Sequence, residues 1–310
     1  MRTNYQIINN KLVACSESEA KIIVCTSPDK DTMKSLIDTY DIDEHTLNSA
    51  LDPDEVSRFE FEPDHSVVII KSPKNYSKGD NLIFKVTSIG MFMFKDKLLF
   101  VIPEEIEIFE GRQPVKLFTL KDVMLKVLYG TISHFLGHLR VIDMISESLE
   151  DKINESMENK FLINMFKIQK SLVYYINGIN SNAMLFDKLK LNAAKIGFLT
   201  EDVEFLEDII IENNQCSKQA NIYSNIITGL METRGSIVNN NLNMLIKRLT
   251  ILSVVFMPLN VIAGVGGMSE FSVITGGIDW RISYSLLGLF MIGVSIGTYF
   301  LLRWVLERKV

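Results

Sequence analysis

Residues Leu249–Ser269 read LTILSVVFMPLNVIAGVGGMS, and up to Gly267 they form roughly one membrane-spanning length without a charged side chain. A second apolar run, Tyr284–Leu302, follows after a short loop. Together the two runs predict two transmembrane helices close to the end of the chain. The first run also contains a proline, an asparagine and several glycines, namely Pro258, Asn260, Gly264, Gly266 and Gly267.

The composition of the 310-residue chain fits two spans attached to a large soluble part. Hydrophobic residues make up 47% of the chain, which is too few for a bundle that crosses the membrane many times. The net charge of −6 argues against a nucleic-acid partner. The three cysteines follow no CxxC spacing and the N-terminus lacks an apolar core, so the soluble part is predicted to be reduced and cytosolic.

Residues 1–118 are predicted to form a cytosolic domain of the α+β class. Short β-branched or aromatic runs bounded by proline and glycine predict strands, and Phe59 and Phe61 alternate as in a half-buried strand. Asp31–Tyr40 and Asp43–Leu51 are predicted to be helices that each begin at a capping aspartate. The predicted strands are Lys21–Thr26, Ser66–Lys71, Leu82–Thr87, Met91–Phe94 and Leu98–Ile102.

The middle of the chain is predicted to consist of long helices, because no proline occurs between Pro114 and Pro258. Apolar residues at helical spacing fall in Thr119–Lys152 and again in Asn159–Leu189. The simplest arrangement is a hairpin of two long helices within residues 119–199.

Residues 200–248 are predicted to form a stalk helix that begins near Thr200 and continues into the first span. If this helix reaches Gly264, it is about 95–100 Å long at ~1.5 Å per residue. Such a helix would project from the soluble domain into and across the bilayer. Its stripes contain many polar residues, which indicates either solvent or a wet central channel among identical copies.

Positively charged residues flank the outer ends of the two predicted spans, 249–268 and 282–304. The connecting loop, 269–281, contains only Arg281 as a basic residue. By the positive-inside rule, both termini face the cytosol and the loop is external. The flanking basic residues are Lys247 and Arg248 before the first span, then Arg303, Arg308 and Lys309, the last two in the predicted cytosolic tail 305–310.

The run Leu249–Ser269, followed by a short loop, a second span and a basic tail, resembles the CorA-type magnesium channels. The resemblance is detailed over about residues 240–310, and the layout of the whole chain matches that of the family. Family members have a mixed cytosolic domain, a stalk helix that becomes the first span, and a Gly-Met-Asn signature that ends this span. Here Gly267-Met268-Ser269 stands in that place, which resembles a divergent, CmaX-like branch.

The resemblance implies a homopentamer whose pore is lined by the first span. The predicted selectivity region at the mouth consists of Gly267, Met268, Ser269 and Glu270. The residues expected to line the pore below it are Gly264, Asn260, Met257 and Ser253. The predicted gate consists of Leu249, Ile246 and Asn243.

Each of these residues also has a simpler structural interpretation. Asn260 also suits a hydrogen bond between packed helices. Met257, Leu249 and Ile246 fit apolar constrictions that close by dewetting, but they also fit ordinary packing between helices. Glu270 either concentrates cations at the mouth or is a solvated loop acid.

The resemblance further implies regulation by divalent ions bound between cytosolic domains. Asp208 aligns with a sensor acid of the family, and Glu212, Asp202 and Glu204 lie close to it in the sequence. Asp208 and Glu212 are therefore the predicted regulatory metal ligands. A solvated acidic helix face explains the same residues.

Two histidines, His134 and His138, have the i, i+4 spacing that suits a metal on a helix face. The sequence shows no third ligand nearby, so surface histidines are the preferred interpretation. The chain has no phosphate-binding glycine loop, nucleophile elbow or zinc-binding cysteine pattern, and it is not expected to be an enzyme.

The sequence therefore predicts a CorA-like passive channel for divalent cations in the plasma (inner) membrane of a prokaryote. Mg²⁺ is the expected metal ion, with Zn²⁺, Co²⁺ or Ni²⁺ as alternatives because Ser269 replaces the asparagine of the family. The expected partners are four further copies of the chain and the lipid bilayer. Two alternatives stay open: a low-selectivity or zinc-directed cation pathway, and a non-conducting, membrane-anchored oligomer that senses ions.

Overall fold

The computed structural model describes residues 1–76, 82–106, 108–109, 117–155 and 159–307, and the chain divides into two units, Met1–Met231 and Glu232–Val310. The predicted tail residues Arg308 and Lys309 lie outside the described residues. The predicted class is confirmed: an α+β domain is followed by a long helix and two apolar C-terminal helices.

A seven-stranded mixed sheet lies at the centre of the first unit. Its strands are β1 (Arg2–Ile8), β2 (Lys11–Ala14), β3 (Ile22–Thr26), β4 (Arg58–Phe61), β5 (His65–Pro73), β6 (Val86–Phe94) and β7 (Leu98–Ile102). Their order across the sheet is β2-β1-β3-β7-β6-β5-β4. Strands β3 and β7 pair in parallel, with Ile22 opposite Leu98, and the other described pairs are antiparallel.

Both faces of this sheet are covered, which explains the unbroken apolar runs of its central strands. In β3, Ile22 belongs to one buried cluster and Ile23 to the other, as expected for side chains that alternate between faces. Helices α1 (Lys30–Tyr40) and α2 (Glu44–Leu51) contribute to the second cluster. Two longer helices, α3 (Leu120–Glu155) and α4 (Asn159–Leu191), contribute to the first.

The edge hairpin formed by β1 and β2 was not predicted. Its turn consists of Asn9 and Asn10, both with positive φ (49° and 62°), which is the geometry of a two-residue type I′ hairpin. Asparagine tolerates this conformation, so the Asn-Asn pair is the sequence pattern from which the hairpin could have been predicted. The strands themselves are largely solvent-accessible and lack the apolar alternation of a half-buried strand.

Two predicted boundaries in this unit were wrong. The carboxylate that caps α1 belongs to Asp29, which accepts a hydrogen bond from the Thr32 N–H, rather than to Asp31. The predicted strand Leu82–Thr87 is not formed as such, because β6 begins only at Val86 and then continues to Phe94. Position 90, inside that strand, is a glycine because α2 packs close to it. A Cβ atom on Gly90 would lie 2.4 Å from the Cβ of Ala50.

A buried asparagine joins the helical layer to the sheet. The Asn182 side chain on α4 accepts hydrogen bonds from the Lys71 N–H (2.9 Å) and the Ser57 hydroxyl (2.7 Å), and it donates to the Lys71 carbonyl (2.9 Å). A buried polar group is tolerated only when it is paired in this way. The hairpin of α3 and α4 is thereby fixed against β5.

The longest helix is α6 (Thr200–Gly266), which has 67 residues and follows the short helix α5 (Ala193–Ile196). It includes Pro258 without ending there. The second unit also contains α7 (Ser269–Ile274) and α8 (Trp280–Glu307). By length and composition, two described helices, α6 and α8, can cross a membrane.

Candidate functional site

One face of α6 is partly covered in the second unit. On an ideal helix, with about 100° between successive residues, these covered positions fall on a single stripe. The partly covered or buried positions of α8 form a stripe of their own. The described contacts between the two helices are made at Gly266 of α6, which meets Leu287 and Tyr284 of α8. The residues on the α6 stripe are Ile251, Val255, Pro258, Leu259, Ile262 and Gly266.

Gly266 lies in this contact, where a side chain would displace the end of the Leu287 side chain. A Cβ atom there would lie 2.6 Å from Cδ2 of Leu287 on α8. The Gly266 carbonyl accepts a long hydrogen bond of 3.5 Å from the Tyr284 hydroxyl, and the Tyr284 ring meets Phe271 edge-on at 5.8 Å. In the sequence, Gly266 is only one of several glycines. Its role depends on contacts with α8, a helix that begins 14 residues further along the chain.

The residues predicted to line a pore occupy the opposite face of α6. Their stripe is centred roughly 170° around the helix from the stripe that contacts α8. All of them are exposed in the single chain, and the exposed fraction reaches 67% for Met257 and 63% for Leu249. The hairpin therefore leaves one side of α6 free for another partner. The predicted residues on this side are Asn243, Ile246, Leu249, Ser253, Met257, Asn260 and Gly264.

The predicted mouth residues follow directly after this stripe. The Gly267 N–H donates to the carbonyls of Ala263 (3.0 Å) and Gly264 (3.2 Å), which completes the last turn of α6. Met268 has an extended backbone and is 52% exposed. Ser269 begins α7, and its hydroxyl donates to the Glu270 carboxylate at 3.2 Å. The structure thus places a hydroxyl and a carboxylate together at the end of α6.

The predicted regulatory acids, Asp208 and Glu212, lie in the first unit, Met1–Met231. Asp208 is exposed, and Glu212 is partly exposed one turn later on α6. The pKa of the nearby Cys216 thiol is raised to about 12, first by burial and then by the charge of Glu212. Asp202, at the start of α6, accepts a hydrogen bond from the Leu199 N–H.

Within the described residues, no group of three His, Cys, Asp or Glu side chains is placed to hold a metal ion. Asp208 and Glu212 are thus one turn apart on α6, without a third such side chain among the described residues.

The interpretation of His134 and His138 as surface residues was wrong. Both rings are half-buried on α3, and their Nε2 atoms are 3.1 Å apart. The other ring nitrogen of His138, Nδ1, lies 2.6 Å from the hydroxyl of the buried Tyr175 on α4. Burial lowers the pKa of both histidines, that of His138 to about 4 with a further contribution from His134. Sequence reasoning could not identify Tyr175, because only the packing of α3 against α4 brings it near.

Comparison with known proteins gives a consistent result. The family model described as CorA-like Mg²⁺ transporter protein matches residues 17–304. The chain is 24% identical over 275 residues to the cobalt/magnesium transport protein CorA of Methanocaldococcus jannaschii, covering 85% of this chain and 84% of that protein. It is also 24% identical over 147 residues to the Thermotoga maritima protein of the same name, covering 47% and 42%.

Two solved structures share the fold over nearly the full length. The complete structure of the CorA magnesium transporter from Methanocaldococcus jannaschii superposes with a TM-score of 0.79 at 19% identity, covering 100% of this chain and 97% of that one. The full-length CmaX protein superposes with a TM-score of 0.73 at 12% identity, covering 99% and 96%. At these identities the structures establish the fold alone.

The close contact at Gly266 predicts a specific pattern of stabilities. We expect Gly266→Ala to destabilise the hairpin by about 1–3 kcal/mol, because the added methyl group meets Leu287. Leu287→Ala removes the obstructing atoms, so the double variant should lose less stability than the two single changes together. Denaturant unfolding of the α6–α8 hairpin in detergent, for the full-length chain and the three variants, measures this coupling. Strict additivity would contradict the proposed contact.

Proposed function

Because the chain belongs to the CorA-like Mg²⁺ transporter family, we propose that it conducts divalent cations passively across the plasma membrane as a homopentamer. One observation supports this proposal above the others: α6 keeps a partly polar face free on the side opposite α8. A helix alone in lipid has no reason to expose Asn260 and Ser253, since polar side chains in the membrane need partners or water. Five symmetric copies supply both.

The chemistry of this face suits a hydrated dication. Mg²⁺ prefers oxygen ligands and sheds its water reluctantly, so a pore for it needs neutral oxygens around a wide path. Rings of Ser253 hydroxyls and Asn260 amides provide such oxygens. Rings of Met257, Leu249 and Ile246 between and below them are apolar constrictions that can close by dewetting, and Asn243 extends the face on the cytosolic side.

The mouth determines which ions enter. Five Ser269 hydroxyls would form a ring with shorter side chains than five asparagines, which leaves a wider opening and weaker discrimination. The neighbouring Glu270 carboxylates would raise the local concentration of cations of any kind. Ser269 therefore favours a second candidate function, a low-selectivity or zinc-directed cation pathway on the same fold.

The direction of transport follows from charge. With both termini cytosolic and the 269–281 loop outside, cations enter at Glu270 and leave along the stalk. The membrane potential supplies about 2.3 kcal/mol per elementary charge for each 100 mV, and twice this for a dication. No energy-coupling motif is needed for uptake.

Regulation is proposed to act through Asp208 and Glu212. A divalent ion bound between subunits would bridge these carboxylates and hold the cytosolic parts together. When the cytosolic ion concentration falls, the ion leaves, like charges repel one another and the subunits separate. This links the supply of the ion to the state of the gate.

Flux into liposomes tests conduction. The full-length protein should admit Mg²⁺, Co²⁺, Ni²⁺ or Zn²⁺ above the rate of empty liposomes, driven by an inside-negative potential. Asn260→Leu should lower this flux at least tenfold, because it replaces a ring of oxygens with apolar side chains. Val265→Leu is the matched control: it introduces the same side chain at an exposed position about 140° around the helix from Asn260, and it should conduct normally.

Absence of flux for every cation would overturn the channel and favour the non-conducting, ion-sensing oligomer. Equal loss of flux in the Asn260 and Val265 variants would show that the face opposite α8 does not line the pathway. In both cases, size-exclusion chromatography must first establish that the variants assemble like the unmodified protein.

Two mouth variants separate selectivity from attraction. Ser269→Asn should change the ratio of Mg²⁺ flux to Zn²⁺ flux, because it replaces the ring that contacts the hydrated ion. Glu270→Gln should lower the flux of all dications by a similar factor, because it removes only the negative charge that attracts cations to the mouth. Competition assays with paired ions in liposomes measure both. An unchanged flux ratio in Ser269→Asn would show that residue 269 is not the selector.

The regulatory proposal predicts that Asp208→Asn weakens inhibition by internal divalent ions. The concentration of internal Mg²⁺ that halves the flux should rise at least severalfold, because the substitution removes one carboxylate ligand per subunit. Glu207→Gln is the matched control, since Glu207 forms an exposed ion pair with Lys190 (2.8 Å) and such pairs contribute little. Identical inhibition curves for Asp208→Asn and the unmodified channel would remove Asp208 from the sensor.

A further inference from the structure

We propose that His134 and His138, in the first unit, form a binding site for a transition-metal dication such as Zn²⁺, Co²⁺ or Ni²⁺. The observation is their juxtaposition: two imidazoles one helical turn apart on α3 direct Nε2 atoms at each other across 3.1 Å. This site is separate from the predicted regulatory acids on α6 and from the proposed pore. It does not depend on whether the protein conducts.

The separation of the two nitrogens already suits a metal. A Zn–N bond is about 2.0–2.1 Å long, so two nitrogens on a tetrahedral ion are about 3.3–3.4 Å apart, and two neighbouring nitrogens on an octahedral ion about 2.8–3.0 Å apart. The observed 3.1 Å lies between these values. An ion can therefore replace the hydrogen bond between the rings after small rotations about χ2, a torsion with broad minima. The backbone of α3 need not move.

Tyr175 holds one of the two rings in place from behind. Its hydroxyl lies 2.6 Å from His138 Nδ1, and its ring is nearly parallel to the imidazole, with an interplanar angle of 14° and 6.1 Å between the ring centroids. A hydroxyl can donate or accept, so metal occupancy selects the tautomer in which Nδ1–H donates to the tyrosine oxygen and Nε2 faces the ion. Partners of this kind orient metal-binding histidines in known sites. The aromatic rings of Phe84 and Phe135 pack around the same groups.

The donor set distinguishes between ions. Imidazole nitrogen suits Zn²⁺, Co²⁺, Ni²⁺ and Cu²⁺, whereas Mg²⁺ prefers oxygen ligands. In the described part of the chain, no third His, Cys, Asp or Glu joins the pair, so water completes the coordination. Two nitrogens and water, without a carboxylate, give a site that ignores Mg²⁺ and binds transition metals with moderate affinity.

Metal titration of the full-length protein in detergent tests the site. An excess of MgCl₂ first occupies oxygen sites, and ZnCl₂ is then added in a calorimeter. We expect the unmodified protein to bind Zn²⁺, and His134→Gln and His138→Gln to weaken this binding at least tenfold. His45→Gln, at an exposed histidine on α2, is the matched control and should bind like the unmodified protein. With CoCl₂, the visible spectrum should show a nitrogen-ligated band that both site variants lose.

Two results of the metal titration would overturn the proposal. No Zn²⁺ binding in the presence of excess Mg²⁺, or equal binding by the unmodified protein and His134→Gln, would show that the pair is only a buried hydrogen bond. If His138→Gln does not fold, His134→Gln decides, because His134 has no hydrogen bond to Tyr175. Thermal unfolding without metal establishes that each tested variant is folded.

Discussion

The unbroken backbone of α6 is the constraint on which the other features depend. A helix satisfies its own backbone polar groups in water, in a protein core and in lipid alike, so only the side chains have to change along it. In the first unit α6 buries Leu206, Ile209 and Cys216. In the second unit it provides one face to α8 and leaves the opposite face free. The proposed channel requires that division, because only the free face can be shared among identical subunits.

The sequence was sufficient where a pattern repeats along one element. The apolar runs predicted both membrane helices, and the proline-free interval predicted α3, α4 and α6. The residues of the presumed pore stripe also fell on one face, because a period of 3.6 residues is fixed once the segment is helical. Whether those residues line a pore is a separate question, which depends on copies of the chain that no single helix reveals.

Features that depend on contacts between distant segments could not be predicted. Gly90 falls between two predicted strands, Leu82–Thr87 and Met91–Phe94, but the observed β6 runs through it. Ala50 of α2 occupies the space that a side chain at position 90 would need. The role of Gly266 depends on Leu287 in the same way. His134 and His138 were interpreted as surface residues for a related reason. The packing of α4 against α3 brings Tyr175 to His138, and helical spacing within α3 cannot predict this contact.

The pore proposed here and the histidine pair would treat metal ions by opposite means. A conducting site must bind weakly enough to release the ion, so it uses neutral oxygens that contact the hydrated dication. The proposed ring of Ser269 hydroxyls would weaken that contact further and would admit more kinds of ion. The two imidazoles, in contrast, replace bound water directly and hold an ion by nitrogen ligation. If the proposed mouth is permissive, the proposed histidine site in the first unit would complement it, because nitrogen ligands recognise the transition metals that oxygen rings do not separate from Mg²⁺.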